Sequence, residues 1–207
     1  DGFLRRKVPE FQASDPALDS DLLQAYITVN REWRSRDHDT LRALCAESRP
    51  GRLWKGAFMQ MENSKNMAPY AVRRTYVYKG KVIDRQVHLG LDLASTAGAP
   101  VPAANAGVVV FADNLGIYGQ TVLIDHGQGL FSLYSHLGGF SVSAGDAVGR
   151  GQTVGSSGQT GMAGGDHLHF SILVSGEFVN PVEWLDGHWI TDNIESKLKL
   201  LSVAPGI

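Results

Sequence analysis

The sequence predicts a mainly β protein: an antiparallel β-sheet domain with a groove, preceded by a short helical N-terminal region. Three observations carry that expectation. Apolar residues recur at helical spacing early in the chain and at a period of two from Tyr76 onward. Glycine, a turn residue, is concentrated late, with 3 of the 24 in residues 1–79 and 21 in residues 80–207. Charge shifts at the same place, from net +4 over residues 1–79 to −6 over residues 80–207. A composition step marks a boundary. The organisation read from it is a helical leader and connection over 1–69, a β domain over 70–190, and a short helix with a tail over 191–207.

In the leader, Leu22, Tyr26, Val29 and Trp33 fall at i, i+4, i+7 and i+11 behind a candidate N-cap at Ser20, one face of an amphipathic helix. A second, shorter helix is expected after Asp37 to Asp39, with Leu41, Leu44 and Cys45 facing inward. Residues 46–69, with Pro50, Gly51 and the polar run Asn63 to Asn66, read as irregular connection. Beyond them Tyr76 and Tyr78 alternate with Val77 and Lys79. The runs Val108 to Phe111, Thr121 to Ile124, Leu130 to Tyr134 and Leu168 to Val174 are short, apolar and bounded by Gly, Asn or Asp, as strands are. No helical period stands out between Arg85 and Trp189, and a last helix is expected to open at Asp192, where Asp192-x-x-Glu195 resembles a capping box.

Composition excludes several classes. A chain of 207 residues that is 43% hydrophobic and 19% charged can bury a core and is not a disordered polymer. Its longest apolar stretch, around Val108 to Ala112, is far short of the ~18 residues of a membrane span. A net charge of −2 without a basic block lacks the footprint of a nucleic-acid binder. The one cysteine, Cys45, forms no internal disulfide. A start at Asp1, with no methionine or signal peptide, reads as a processed or truncated product.

Two motifs carry chemistry: His88-Leu-Gly-Leu-Asp92 and His167-Leu-His169. Alternation puts His88, Gly90 and Asp92 on one strand face, and His167, His169 and Ser171 on one face of another. Strand residues two apart lie ~6.7 Å apart at Cα, so two parallel imidazoles can serve as one metal ligand and one neighbour of a bound water. Residues four apart lie ~13 Å apart in a straight strand, too far for His88 and Asp92 to share an ion. The chain must therefore bend between them, and Gly90 sits at the midpoint. A His, Asp, His set leaves one of four zinc positions for water, the pattern of a catalytic site. The run Gly149 to Gly165 contains no lysine and is not a phosphate loop; it reads as tight turns forming a wall of the groove.

The segments His88-Leu-Gly-Leu-Asp92, Tyr134-Ser-His136-Leu137 and Gly165-Asp-His167-Leu-His169-Phe170 resemble the three motifs of the lysostaphin-type (LytM-like) zinc metallopeptidases that cut peptidoglycan peptides. Val122-Leu-Ile-Asp-His126-Gly and Gly145-Asp-Ala-Val-Gly-Arg-Gly-Gln152 also look like family segments, so the likeness covers roughly Tyr76 to Trp184. The helical leader is similar to those of members from Gram-negative envelopes. The resemblance implies Zn2+ held by His88, Asp92 and His169, with His136 and His167 as the catalytic pair. It implies peptidoglycan stem peptides as substrate, cut at D-Ala to diaminopimelate bonds, and a place in the periplasm or cell envelope. His126 is read as structural, and His38 and His188 have no motif around them. Where members often have Phe-Gly before an arginine, this chain has Tyr70-Ala71-Val72-Arg73-Arg74, and a salt-bridge role is expected for these arginines. The leader is expected to pack on the β domain and restrict access without supplying ligands. The competing reading is a catalytically inactive peptidoglycan-binding or hydrolase-activating LytM-like module. Such proteins typically lose metal ligands, and all five site residues are present here.

Overall fold

The computed structural model describes residues 2–203. Helix α1 (Gly2–Ser14) buries Leu4, Val8 and Phe11, one apolar stripe at i, i+4 and i+7. Helix α2 (Leu22–Thr28) is capped by Asp21, whose carboxylate accepts from the amides of Leu23 and Gln24, one residue after the expected cap at Ser20. It does not stop there. A π-helical turn at Val29–Trp33 leads directly into α3 (Arg34–Leu44), so the second helix expected after Asp37 is the continuation of the first. No glycine or proline interrupts residues 22–44, which is the local reason the helix runs on.

Among the described residues twelve strands follow: β1 (Lys65–Ala68), β2 (Arg73–Tyr78), β3 (Lys81–Val87), β4 (Leu91–Ala94), β5 (Pro100–Pro102), β6 (Gly107–Leu115), β7 (Gly119–Asp125), β8 (Leu130–Phe140), β9 (Ala147–Val148), β10 (Thr153–Ser157), β11 (Leu168–Val174) and β12 (Glu177–Val179). The main sheet runs β1-β4-β11-β8-β7-β6-β9, with β10 and β5 attached through β8 and β12 through β11; β2 and β3 form a separate hairpin. Every pairing is antiparallel. β1 corrects the expectation of irregular chain over 46–69: its residues pair with β4, and a partner strand so distant in sequence leaves no local signal.

Both faces of the main sheet are covered. On one, Val122, Ile124, Tyr134, Phe170 and Ile172 pack against Trp54, Phe58 and Trp184. On the other, Leu123, Phe131, Leu133 and Leu173 pack against Phe11, Val29, Trp33 and Leu41 of the leader. This double cover explains why β7, β8 and β11 are nearly continuously buried. The leader also grips the hairpin: Tyr26, Leu4 and Val8 pack near Tyr76 and Ile83, and Asp84 accepts from Asn30 Nδ2 (2.5 Å) and Arg31 Nε (3.0 Å).

Short helices α4 (Pro181–Leu185) and α5 (Gly187–Ile190) lie in the stretch read as non-helical. A π-helical turn at Thr191–Glu195 carries α5 into α6 (Ser196–Val203), so the run begins at a cap on Asp186 rather than at Asp192. Asp186 Oδ1 accepts from the amides of His188 and Trp189. Among the described residues no helix is long and apolar enough to cross a membrane.

Candidate metal centre and active site

The expected bend between His88 and Asp92 is present: β3 ends at Val87, β4 begins at Leu91, and His88 to Gly90 lie between them. Register then does the rest. Asp92 stands opposite His169, and His169 opposite Ser135 of β8, so the carboxylate and imidazole meet across neighbouring strands. Gly90 is required by close approach. A Cβ there would lie 2.5 Å from Ser171 Oγ, 2.6 Å from the Phe170 carbonyl oxygen and 2.7 Å from His169 Nε2. Because the carbonyl belongs to the sheet and cannot retreat, Gly90→Ala is expected to cost about 1–3 kcal/mol and to displace His169. A lower melting temperature together with at least ~10-fold weaker metal binding checks this; unchanged metal affinity contradicts it.

The hydrogen bonds fix the ring tautomers. His88 Nδ1 lies 2.9 Å from the Pro69 carbonyl oxygen, which only accepts, so Nδ1 carries the proton and Nε2 presents a lone pair. Ser171 Oγ donates to the Leu89 carbonyl (2.9 Å) and is left to accept from His169 Nε2–H (3.1 Å), leaving the His169 Nδ1 lone pair free. These two lone pairs converge on Asp92: Oδ1 lies 2.8 Å from His88 Nε2 and 2.9 Å from His169 Nδ1, and the two nitrogens are 3.1 Å apart. The three residues form the one metal-capable cluster of His, Cys, Asp and Glu among the described residues, with ligand atoms within 4.8 Å of each other. Two imidazoles and a carboxylate are a donor set that suits zinc. Asp92 Oδ2 accepts from Arg74 Nη2 at 2.8 Å, the salt bridge expected for this arginine pair, while Arg73 is exposed. Burial works against the Asp92 carboxylate, but hydrogen bonding, with His167 foremost, outweighs it and holds the group below the ordinary carboxylate range.

His136 and His167 adjoin this centre with their rings 4.9 Å apart, and His136 is 5.8 Å from His169. They are held alike. His136 Nδ1 donates to the Thr160 carbonyl (2.9 Å) and His167 Nδ1 to the Gly165 carbonyl (2.8 Å), so each presents Nε2 to the centre. His167 Nε2 lies 3.5 Å from Asp92 Oδ1. Burial, reinforced by the neighbouring imidazoles, holds His136 well below the usual imidazole value. At His167 burial acts in the same direction but is outweighed by the Asp92 carboxylate, and its value is raised. His136 also has a left-handed backbone, φ 61°, a conformation that residues other than glycine adopt where surrounding structure imposes it. The shared-strand picture of His167 and His169 needs one correction. His167 lies just before β11, in an isolated bridge to Gly158, and is freer than its neighbour.

A cavity of about 350 Å³ opens over these residues. Met162 and Gly164 of the glycine-rich run form one side, and Phe3, Tyr26 and Arg34 of the leader form another. The leader reaches here because Asp92, His169 and Leu173 project from the sheet face on which it packs. Sequence reasoning missed Tyr118, whose ring lies 5.7 Å from His169 and whose hydroxyl lies 3.0 Å from His38 Nε2. The Gly116–Tyr118 turn is itself fixed by the leader, through Ile117 N–H donating to buried Asp37 (2.7 Å). Ser171 could have been found, since it shares the polar face of His169. His126 lies away from the cluster, fully buried between the Ala106 carbonyl and Ser132 Oγ at 2.7 Å each, and burial lowers it to about 4. His188 is exposed.

An antiparallel sheet presenting a His, Asp, His cluster beside two oriented histidines defines a candidate hydrolytic metal centre. Residues 86–181 match the sequence model of Peptidase family M23. It is similar to the peptidoglycan DD-endopeptidase ShyA of Vibrio cholerae, 41% identical over 96 residues, which cover 46% of this chain and 22% of that protein. The chain spans less than a third of the length of the curated relatives it matches. Among solved structures it is similar to the catalytic domain of lysostaphin from Staphylococcus simulans (28% identity, TM-score 0.54, 63% of this chain and 98% of that one). It is also similar to a zinc-containing peptidase from Vibrio cholerae (28% identity, TM-score 0.54, 63% and 39%). The lysostaphin-type assignment and the antiparallel β fold expected from the motifs both stand.

Proposed function

We propose that this chain is a zinc-dependent peptidoglycan endopeptidase that hydrolyses peptide cross-links in the cell envelope. The convergence of His88 Nε2, Asp92 Oδ1 and His169 Nδ1 within 3.1 Å of one another is the observation that carries the reading. The named endopeptidase and zinc-containing relatives support it. Zinc bound there would supply an acidified water and a Lewis acid for the scissile carbonyl. Pro69 and Ser171 hold the two ligand imidazoles in the tautomers that expose their lone pairs. His136, kept neutral by burial, presents Nε2 as a proton acceptor, and His167 presents Nε2 beside the carboxylate, where it can donate to developing negative charge. An inactive binding module would not need all five side chains to be held by dedicated partners.

Incubation of zinc-loaded protein with purified sacculi, followed by mass spectrometry of the released fragments, tests the reading. Conversion of cross-linked dimers into disaccharide monomers, through cleavage of D-Ala to diaminopimelate bonds, is expected. Intact sacculi, or digestion of pentaglycine alone, would refute it.

A further inference from the structure

We propose that Arg34 forms a carboxylate-binding subsite in the same cavity, selecting peptides that carry a free carboxylate beside the scissile bond; this rests on the peptidase reading. Arg34 comes from the leader, outside the region that matches the family, and lines the cavity with His136, His167 and His169. Its guanidinium is held by one residue. Nε donates to the Asn30 carbonyl (3.0 Å) and Nη2 to Asn30 Oδ1 (2.7 Å). The π-helical turn makes this possible: the Arg34 amide bonds back to Val29 and Arg31, while the Asn30 carbonyl takes the side chain. Asn30 is fully buried and is fixed from its other end, donating Nδ2 to Asp84 at 2.5 Å.

The consequence is a cation without a counter-ion. Among the described residues Arg34 makes no ion pair within 4.0 Å, whereas Arg74, the other guanidinium lining the cavity, is occupied by Asp92. Asp37 feels the charge but lies beyond ion-pair distance, its carboxylate being used to accept from Ile117 N–H. Both acceptors on Arg34 are neutral, and Nη1 has no protein partner among the described residues. A pre-oriented, half-buried guanidinium with free N–H groups is a carboxylate receptor. Beside a peptidase centre, the ligand that fits is the carboxylate of the residue on one side of the cleaved bond.

The test compares binding of N-acetyl-D-alanyl-D-alanine and its C-terminal amide to the full chain, with and without added zinc, by titration calorimetry. The wild type should bind the acid at least ~10-fold more tightly than the amide in both states. Arg34→Gln should lose that preference and leave amide affinity unchanged, and Arg34→Lys should keep part of it. Equal affinity of the wild type for acid and amide, or a preference that survives in Arg34→Gln, would overturn the subsite. If Arg34→Gln does not fold, the comparison of acid with amide on the wild type and Arg34→Lys decides alone. Carboxylate selection without sacculus digestion would sink the peptidase reading and leave the subsite standing. Digestion without selection would do the reverse.

Discussion

His169→Ala is expected to lose tightly bound zinc and hydrolysis together, as are His88→Ala and Asp92→Ala. Each removes one of the three proposed ligands, and the two acceptors left are too few to hold an ion tightly. His136→Ala and His167→Ala should behave differently. Neither ring enters the cluster, and the partners that fix His88 and His169 are Pro69 and Ser171. These two variants should stay folded, keep about one zinc per chain and lose turnover by ~10² or more. Elemental analysis of the purified variants separates the groups. Zinc lost from His167→Ala but retained by His169→Ala would show the two histidines reversed.

A shortened chain beginning at Arg73 is expected to aggregate and to bind no metal. A leader that only restricts access without supplying ligands, as the sequence suggests, would instead leave zinc in place and hydrolysis equal or higher once it was removed. Two interfaces argue against that. Removing α1, α2 and α3 would expose Leu115, Ile117, Phe131, Leu133 and Leu173, each 6% exposed or less in the intact chain. At about 1.5–3 kcal/mol per side chain, five such losses approach or exceed the ~5–15 kcal/mol that holds a domain together. The cut would also delete Pro69, which fixes the His88 tautomer, and β1, which pairs with the strand carrying Asp92. Size-exclusion chromatography with metal analysis checks the expectation; a soluble, zinc-bearing, active fragment would contradict it. Trp33→Ala offers a milder version, with a loss of about 3–5 kcal/mol expected for its largely buried ring.

The contrast between what was and was not legible follows from range. Strands such as Leu168–Val174 show themselves because bounded apolar runs are local, and the bend at Gly90 followed from the reach of a histidine and an aspartate. The cluster of His88, Asp92 and His169 was readable because motif resemblance supplied a pairing that residue spacing left open. Tyr118 and Arg34 were not readable. Their relation to the site depends on how a helix, a short turn and a sheet face meet in space, and no sequence period records that. The helix face through Val29 and Trp33 was legible, but its continuation into Arg34–Leu44 was not: the polar run Asp37 to Asp39 reads as the start of a new helix, although no glycine or proline ends the first one. β1 lay in a segment whose strand character exists only against β4.

The central claim is that one zinc ion is held by His88, Asp92 and His169, with His136 and His167 beside it. Anomalous diffraction at the zinc edge from crystals of the zinc-loaded full chain tests it most directly. The expected result is a single strong peak bounded by His88 Nε2, the Asp92 carboxylate and His169 Nδ1. A peak bound through His167 or His136 in place of His169, or no peak at this cluster, would contradict it.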